Sequence, residues 1–363
     1  DTHLKTIIHP SGPVASAILA LAERKPVKGE DFLHAFILGV ETECRIGNAV
    51  YPSHYDICWH ITATAGVFGA AAAAGRLIGL SEQQMVWALG IAATQSSGLR
   101  EMFGTMAKPF HPGNAARNGL LAAFLAHKDF TSSNRGIEAP RGFAHVLATE
   151  RNFAEITQKL GETWEISLNT YKPFACGIVE HPTIDGCIQL RNEHNLKADD
   201  IESISLRVHP LVLELTGKKA PEVGLEGKFS IYHAAAVAII HGAAGEAEYS
   251  DAVVRDPGVI ALRDKVTATV DRGVHEDQAH VSIKLKNGKT LERFVEHAIG
   301  SLDKPMSDAD LEAKFRGLCE GILSKAETEK LIRLCWDVAR LKDAGEVARA
   351  SVPVGKSVKR AAS

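Results

Sequence analysis

The run ITATAGVFGAAAAAGRLIGL, residues 61–80, constrains the fold of this chain more than any other stretch. It is long and apolar enough to be considered as a membrane span. Alanine and glycine dominate it, however, and Arg76 interrupts it, which is typical of a helix that its neighbours approach closely. The run therefore predicts a buried, tightly packed helix.

Helix-period apolar patterns separated by short loops fill residues 13–160. Ser81 followed by Gln84 predicts an N-cap with a capping box, and Gly79 predicts the end of the preceding helix. Helical patterns return after Pro305, where Ser307 is the predicted N-cap of the next helix. We infer a large all-helical domain made of residues 1–162 and 303–363.

Near Glu165 the pattern changes to that of a mixed helix and strand region. IESISLRVHP alternates apolar and polar residues, DKVTATVD is rich in β-branched residues, and HPTIDGCIQLRNEH and IYHAAAVAIIHGAA are helical. Asn287-Gly288 between two alternating runs predicts a tight hairpin. Residues 163–302 are therefore predicted to form a smaller α+β domain, and the predicted fold class is mainly α with an α+β second domain.

Charge and cysteine content limit the partners of the chain. Its 363 residues carry a formal net charge of −3 with acids and bases interspersed, so no basic surface is available for nucleic acid or for a membrane. The predicted partner is a small molecule. Six widely spaced cysteines are untypical of a disulfide-stapled secreted domain and indicate a cytoplasmic protein. Because the sequence opens on Asp1 inside an apparently active segment, we expect a fragment or a processed chain.

The sequence contains no recognisable cofactor motif. It lacks a G-x-G-x-x-G after a strand, a P-loop, a G-x-S-x-G elbow and paired C-x2-C sites, which disfavours nicotinamide, nucleotide triphosphate and iron–sulfur chemistry. The spacing of His54, Cys58 and His60 suggests zinc, but His60 would lie off the helix face that the other two share, and no fourth ligand is nearby. We therefore predict neither metal nor cofactor.

The stretch FGTMAKPFHPG, residues 103–113, contains Lys108 and His111, each followed by a proline. Because proline disfavours helical backbone in the residue before it, the stretch predicts a stiff turn ahead of a helix that begins near Asn114. A lysine held beside a helix N-terminus can bind a substrate carboxylate. The alternative is an ordinary helix-entry loop whose lysine points to solvent.

Two other histidines precede helical patterns. His60 lies at the mouth of the alanine-rich helix, where its near-neutral reference pKa suits proton transfer. Thr2 and His9 precede a helix that Pro13 could start, and His9 opens the turn HPSG. The alternative for this segment is a capping loop with a surface histidine.

The second region adds two groups of candidates. YKPFACGIVEHP contains Lys172, Cys176 and His181, and structural packing is the favoured role for the cysteine because no oxyanion loop or orienting partner is identifiable. Tyr232 and His233 begin a helical pattern, where either could equally be a core residue with a satisfied polar tip.

Taken together, these segments resemble the MmgE/PrpD family, which includes 2-methylcitrate dehydratase, cis-aconitate decarboxylase and iminodisuccinate epimerase. The resemblance covers nearly the whole chain, and its motifs occur in the family's order. They are DTH…HPSG, GVETECRIG, WHITATAGVFGAAAAAGRLIGL, GTMAKPFHPGNAARNG, RGFAHVL and KPFACGIVEHPTIDG. The resemblance implies a helical domain and a smaller α+β lid domain with the active site in the cleft between them, and a metal-independent homodimer.

The resemblance also implies functional residues. The implied catalytic residues are His9, His60, Lys108 and Tyr232. The implied substrate-binding residues are Asp1, Thr2, His111 and Lys172. The family has helical sequence upstream and an aspartate-rich motif, D-x-D-D-T, of which this sequence contains Asp1 and Thr2.

The implied reaction is that of a cofactor-independent hydro-lyase acting on a di- or tricarboxylic acid, as in 2-methylcitrate dehydratase. His9 and His60 would form the acid/base pair, Lys108 would bind carboxylates, and Tyr232 would orient the substrate or donate a proton. The alternatives are cis-aconitate decarboxylation and epimerisation of an iminodisuccinate-like acid. The motif HPSG resembles the decarboxylase and epimerase branches of the family somewhat more than the best-known dehydratases. A further alternative is an inactive carboxylate-binding paralogue.

Overall fold

The structure is a computed structural model that describes residues 1–354. Its helices are α1 (Ser11–Ala22), α2 (Gly29–Val50), α3 (Ser53–Asp56), α4 (Ile61–Ile78), α5 (Glu82–Ala93), α6 (Ala107–His127), α7 (Phe143–Leu147), α8 (Ala154–Thr157), α9 (His181–His194), α10 (Pro210–Thr216), α11 (Gly224–Gly227), α12 (Ile231–His241), α13 (Asp251–Val254), α14 (Pro257–Arg263), α15 (Asp308–Cys319), α16 (Lys325–Trp336) and α17 (Gly345–Ala350). Its strands are β1 (Thr2–His3), β2 (Asn169–Thr170), β3 (Ile201–Val208), β4 (Val266–Val270), β5 (Ala279–Leu285) and β6 (Thr290–Val295).

The chain divides into two compact units. The first contains residues 1–169 and the segment from Cys319 onward, and the second contains residues 170–318. Both boundaries fall later than the predicted 162/163 and 302/303. Glu165 stays with the first unit because its backbone N–H donates to Glu41 Oε2 at 2.8 Å. Residues after 302 stay with the second unit because Lys304 Nζ donates to Asp185 Oδ2 at 3.2 Å.

The predicted fold class is confirmed, because the first unit is helical and the second combines helices with a small mixed sheet. Several local predictions are confirmed with it. Ser81 and Gln84 form the capping box of α5, and α4 ends at Gly79, whose φ is +78°. Ser307 Oγ accepts from the N–H of Asp310 in the first turn of α15.

The alanine-rich helix α4 forms the core of the first unit. Within residues 1–354 it is the one helix long and apolar enough to cross a membrane, yet 83% of its apolar window is buried inside the protein. Small residues let its neighbours approach closely: a Cβ added to Gly119 of α6 would lie 2.6 Å from Val67 O, and one added to Gly39 of α2 would lie 2.8 Å from Gly69 O. The prediction of a buried, tightly packed helix is confirmed.

The prediction of a stiff turn at residues 103–113 is wrong. Helix α6 begins at Ala107 rather than near Asn114, so Lys108, His111 and both prolines lie in its first turns. Pro109 is tolerated because the first N–H groups of a helix have no intrahelical partner. Pro112 lies inside the helix, where it removes the N–H that would donate to Lys108 O. The preference of a pre-proline residue for extended backbone is thus overridden at both Lys108 and His111.

The second unit is built on a four-stranded sheet in the order β4-β3-β5-β6. β3 pairs parallel with β4 and antiparallel with β5, and β5 pairs antiparallel with β6. The β5–β6 connection is the predicted hairpin: Leu285 N–H donates to Lys289 O at 2.8 Å, and Gly288 has a φ of +86°. Helix α9 packs on the sheet, since a Cβ added to Gly186 would lie 2.9 Å from Val281 Cγ2.

A carboxyl group is buried between α2 and α4 in the first unit. Glu43 is 0% exposed, and within the described chain neither of its oxygens has a hydrogen-bond partner. It lies against Gly69, where an added Cβ would be 2.4 Å from Glu43 Oε2. Burial raises the pKa of Glu43 well above its usual range, which favours the neutral, protonated carboxyl in the folded protein.

Replacing Glu43 with methionine is expected to stabilise the protein increasingly as the pH rises. The folded state holds the Glu43 proton while the unfolded state releases it above about pH 4.5, so the wild type loses stability with rising pH up to the folded pKa. The stability difference should grow by up to about 1.4 kcal/mol per pH unit from about pH 4.5 up to the folded pKa. Urea unfolding from pH 5 to 8 measures it, with Glu30→Met on the exposed face of α2 as the control. Parallel pH profiles of Glu43→Met and wild type would contradict the prediction.

Candidate active site

Three helices of the first unit begin close to one another. His9 N–H, just before α1, donates to Thr62 Oγ1 in the first turn of α4 at 3.1 Å. At the start of α1, a Cβ added to Gly12 would lie 3.3 Å from Pro112 Cβ in α6. The first turn of a helix presents unbonded N–H groups and a partial positive charge. The combined N-termini of α1, α4 and α6 therefore favour an anion.

A pair of imidazoles connects α4 to α6. His60 is the N-cap residue of α4, and its backbone N–H donates to Gly98 O at 3.0 Å. Its Nδ1 lies 3.0 Å from Nδ1 of His111 in the second turn of α6. Since two bare nitrogens or two N–H groups cannot bond each other, one Nδ1 carries a hydrogen and the other accepts it. The two rings thus form a directly hydrogen-bonded dyad.

Phe103 and Lys108 complete this side of the site. The ring of Phe103 meets that of His60 edge to face, with 5.2 Å between centroids. Lys108 Nζ lies 5.8 Å from the centroid of the same Phe103 ring, within the range of a cation–π contact. Phe103 therefore sets the lysine ammonium beside the imidazole dyad, and a substrate carboxylate drawn to Lys108 would meet the histidines.

Both histidines of the dyad are held neutral. His60 is 3% exposed, and burial, followed by the charges of Lys108 and His111, lowers its pKa to about 2. Burial and then Lys108 also lower the pKa of His111. In the unliganded protein at neutral pH the dyad is therefore a base and a hydrogen-bonding group rather than a cation.

His9 is oriented by the N-terminal residues. Its Nδ1 lies 2.8 Å from Asp1 O and 3.2 Å from Thr2 Oγ1. Because a carbonyl oxygen only accepts, the Nδ1 of His9 carries the hydrogen that it donates to Asp1 O. In the neutral ring, Nε2 is then the nitrogen that can accept a proton. This is the arrangement expected of a proton acceptor.

The Asp1 carboxylate stabilises the local structure in this part of the site through hydrogen bonds. Its Oδ2 accepts hydrogen bonds from Ser11 N–H at 3.0 Å, from Ser11 Oγ at 2.5 Å and from Asn169 Nδ2 at 3.0 Å. These bonds hold the turn before α1, and with it His9. The first unit thus brings together the predicted residues Asp1, Thr2 and His9 and, at the neighbouring helix ends, the dyad with Lys108.

The other two predicted residues belong to the second unit. Lys172 Nζ donates to Cys176 O at 3.3 Å. Tyr232 is the second residue of α12, is 6% exposed, and has a pKa raised by burial. Cys176 is buried as well, and burial raises the pKa of its thiol well above the usual range, which suits packing rather than nucleophilic chemistry.

The His54, Cys58 and His60 spacing does not produce a cluster of ligands. His54 Nδ1 lies 2.6 Å from Leu147 O and its Nε2 lies 2.7 Å from Thr64 Oγ1, so both ring nitrogens are used in the core. Cys58 is exposed at a φ of +78°. Within residues 1–354, no three His, Cys, Asp or Glu side chains are grouped so as to hold a metal ion.

Sequence reasoning missed the residues that support this site, namely Ser11, Thr62, Gly98, Phe103 and Asn169. Gly98 has a φ of +127°, a backbone conformation that glycine adopts far more readily than other residues. A Cβ at Gly98 would lie 3.3 Å from His111 Nδ1 and 3.0 Å from Ala63 Cβ. The remaining contacts join distant segments and carry no local signal.

Models of known protein families match residues in both units of the chain. The family model for the MmgE/PrpD N-terminal domain matches residues 1–156, and that for the MmgE/PrpD C-terminal domain matches residues 174–338. Cis-aconitate decarboxylase of Aspergillus terreus is 27% identical over 94% of this chain and 76% of its own length. The cis-aconitate decarboxylase of Homo sapiens is 28% identical over 92% of this chain and 72% of its own.

A further relative covers a smaller part of the chain. The mitochondrial 2-methylcitrate dehydratase of Yarrowia lipolytica is 26% identical over 37% of this chain and 28% of its own length. Since the two family models together span most of the sequence, from residue 1 to residue 338 with a short gap, this chain belongs to the MmgE/PrpD family.

Proposed function

We propose that this protein decarboxylates cis-aconitate. Among the reactions considered from the sequence, this alternative has more support than 2-methylcitrate dehydration. Relatives named as cis-aconitate decarboxylases match across 92% or more of the chain and therefore across both units. The match to a 2-methylcitrate dehydratase covers 37%.

The observation that carries the proposal is the neutral imidazole dyad beside Lys108, where three helices begin. A tricarboxylate needs positive charge to bind, and Lys108 and the helix N-termini supply it. Decarboxylation also needs a group that adds a proton to carbon after carbon dioxide leaves. His60, His111 and His9 are nitrogen bases placed at the same helix ends.

Decarboxylation of cis-aconitate breaks one carbon–carbon bond and forms one carbon–hydrogen bond. The bond between the carboxylate carbon and its neighbouring carbon breaks, carbon dioxide leaves, and the electron pair stays on the remaining carbon. In cis-aconitate that carbon adjoins a carbon–carbon double bond, so the pair is shared over an allylic system conjugated with another carboxylate. Cationic groups that hold this carboxylate stabilise the developing charge. A proton then adds to carbon, so each turnover consumes one proton.

Dehydration of 2-methylcitrate is the second candidate, and the partial match to a dehydratase favours it. The same residues suit it, because an imidazole base can remove a proton next to a carboxylate while a second group protonates the departing hydroxyl. The third candidate is an inactive carboxylate-binding paralogue.

One experiment tests these candidates together. The protein is incubated in deuterated water with cis-aconitate, 2-methylcitrate, citrate and iminodisuccinate, and the products are followed by NMR. We expect cis-aconitate to lose carbon dioxide and the dicarboxylate product to carry one deuterium on carbon. Water loss from 2-methylcitrate without decarboxylation would favour the second candidate. Unchanged spectra for all four acids would overturn the proposed decarboxylase and favour the third candidate. The predicted homodimer and cytoplasmic location stay predictions.

A further inference from the structure

We propose that His60 and His111 act as one catalytic unit that takes up a single proton from solvent when a tricarboxylate binds and delivers it to the allylic carbanion that remains after carbon dioxide leaves. This assigns His111 a catalytic role rather than the substrate-binding role predicted from the sequence. The inference rests on the proposed decarboxylase function. It identifies the dyad as the group that holds the consumed proton before the proton reaches carbon.

The geometry of the two rings supports sharing of a proton. Nδ1 of His60 and Nδ1 of His111 are 3.0 Å apart, so they form a direct nitrogen-to-nitrogen hydrogen bond. In the neutral dyad the ring that donates from Nδ1 has a bare Nε2, and the ring that accepts at Nδ1 carries its hydrogen on Nε2. The dyad therefore presents one bare nitrogen and one N–H on its outer edges. A proton that binds to the bare nitrogen charges both rings through the shared hydrogen bond.

The dyad can accept one proton but not two. Two imidazolium rings at this distance would repel each other, so the rings titrate as a coupled pair. His60 is 3% exposed, whereas His111 is partly exposed and gives the pair its access to water. Uptake through His111 and delivery from either outer nitrogen are both consistent with this arrangement.

The charges around the dyad explain why uptake waits for the substrate. The charges of Lys108 and His111 lower the pKa of His60, and the charge of Lys108 lowers the pKa of His111. Each of these charges therefore disfavours a protonated ring. Burial acts in the same direction. A bound tricarboxylate brings three negative charges to Lys108 and the helix N-termini, which reverses the sign of the local field. Protonation of the dyad then becomes favourable in the complex and only there.

The stoichiometry of the proposed reaction requires such a store. A trianion becomes a dianion and neutral carbon dioxide, so one proton must enter from solvent in each cycle. If the dyad already holds that proton when the carbon–carbon bond breaks, the N–H bond breaks as the C–H bond forms and the dyad returns to its neutral state. No oxidant, reductant or further reactant is needed.

Proton uptake can be measured directly with a tricarboxylate that does not react. Tricarballylate has the three carboxylates but no double bond, so it cannot form the allylic carbanion. Calorimetric titration at pH 7.5 in phosphate and in Tris, which differ in ionisation enthalpy, gives the number of protons taken up on binding. We expect about one proton per site for the wild type.

Matched variants on helix α6 assign that proton. His111→Asn should take up almost none and should decarboxylate cis-aconitate at least about 100-fold more slowly. His127→Asn, an exposed histidine at the end of the same helix, should behave as wild type in both measurements. Circular dichroism checks that both variants keep the helical fold.

The outcomes separate this inference from the proposed function. If tricarballylate binds with uptake that His111→Asn abolishes, but cis-aconitate is not decarboxylated, the dyad stands and the decarboxylase proposal fails. If the wild type decarboxylates cis-aconitate but binds tricarballylate without proton uptake, the dyad is overturned. Equal uptake on tricarballylate binding by His111→Asn and His127→Asn would also overturn it. Failure of tricarballylate to bind would overturn it as well. The wild-type measurement alone keeps the inference testable if His111→Asn does not fold.

Discussion

Replacing Lys108 with methionine is expected to lower kcat/KM for cis-aconitate by about 100- to 1,000-fold, the cost of removing one preorganised charge at a developing anion. Lys108 Nζ stands over the Phe103 ring that also packs on His60, so the lysine is held where the substrate carboxylates would meet the dyad. Because the Lys108 charge lowers the pKa of both His60 and His111, its loss should also move the pH profile of kcat/KM to higher pH. Steady-state kinetics from pH 5.5 to 9 measure both effects.

The control for this variant lies on the same helix. Lys128→Met, an exposed residue just after α6, removes the same charge far along the helix and should leave turnover unchanged. Lys108 is partly exposed, so we expect its replacement to change the free energy of unfolding by less than about 1 kcal/mol. Near-normal kinetics in folded Lys108→Met would remove Lys108 from the site.

Replacing His60 with asparagine should lower kcat by about 100- to 10,000-fold, because the substitution removes half of the dyad and its proton. The fold should survive. His60 is the N-cap residue of α4 but makes no side-chain cap hydrogen bond, and asparagine is among the best N-cap residues. Kinetics with cis-aconitate and urea unfolding of the same sample measure the two effects separately.

The same variant gives a test that does not depend on activity. The pKa of His60 is lowered to about 2 in the folded protein, whereas an unfolded histidine titrates near 6.5. Between these values the unfolded state binds the extra proton, so the wild type is fully stabilised above pH 6.5 and loses up to about 1.4 kcal/mol per pH unit below it.

His60→Asn should show a flatter loss of stability with acid than the wild type. His34→Asn, an exposed histidine on α2, serves as the control and should keep the wild-type slope. Identical slopes for all three proteins would show that His60 is not buried as a neutral ring.

Elements whose signals are local could be predicted from the sequence. Ser81 and Gln84 lie close enough along the chain to form a capping box, and Asn287-Gly288 favours a small set of tight hairpin turns. The alanine-rich run also gave a local signal, because a helix about 27 Å long that is dominated by alanine and glycine is useful only where other helices pack closely against it. These features required no knowledge of the partners across the core.

The start of α6 could not be predicted, because two local rules compete there. Proline disfavours helical backbone in the preceding residue, which argues against a helix through Lys108 and His111. Proline is also favoured in the first turn of a helix, because an N–H group at that position would have no intrahelical partner. The packing of α6 against α4, through Gly119 and Val67, holds the helix in place and decides the outcome. That packing joins segments far apart in the chain.

The candidate site also combines features that the local sequence predicts with features that only long-range packing decides. Residue types and motifs pointed to His9, His60, Lys108 and His111, and a resemblance to a family supplied roles for them. Neither source could reveal that His60 and His111 touch, since 51 positions separate them along the chain. The dyad exists because Gly98 leaves room for the His111 ring beside His60.

The sequence by itself determined the helical first unit, the α+β second unit and the chemical types available to the site, because helix periodicity, caps and turns act over a few residues. The tertiary structure decided where α6 begins, which imidazoles share a hydrogen bond and which are kept neutral. Those properties depend on burial and on the field of charges brought close by folding, and no short-range pattern encodes either one.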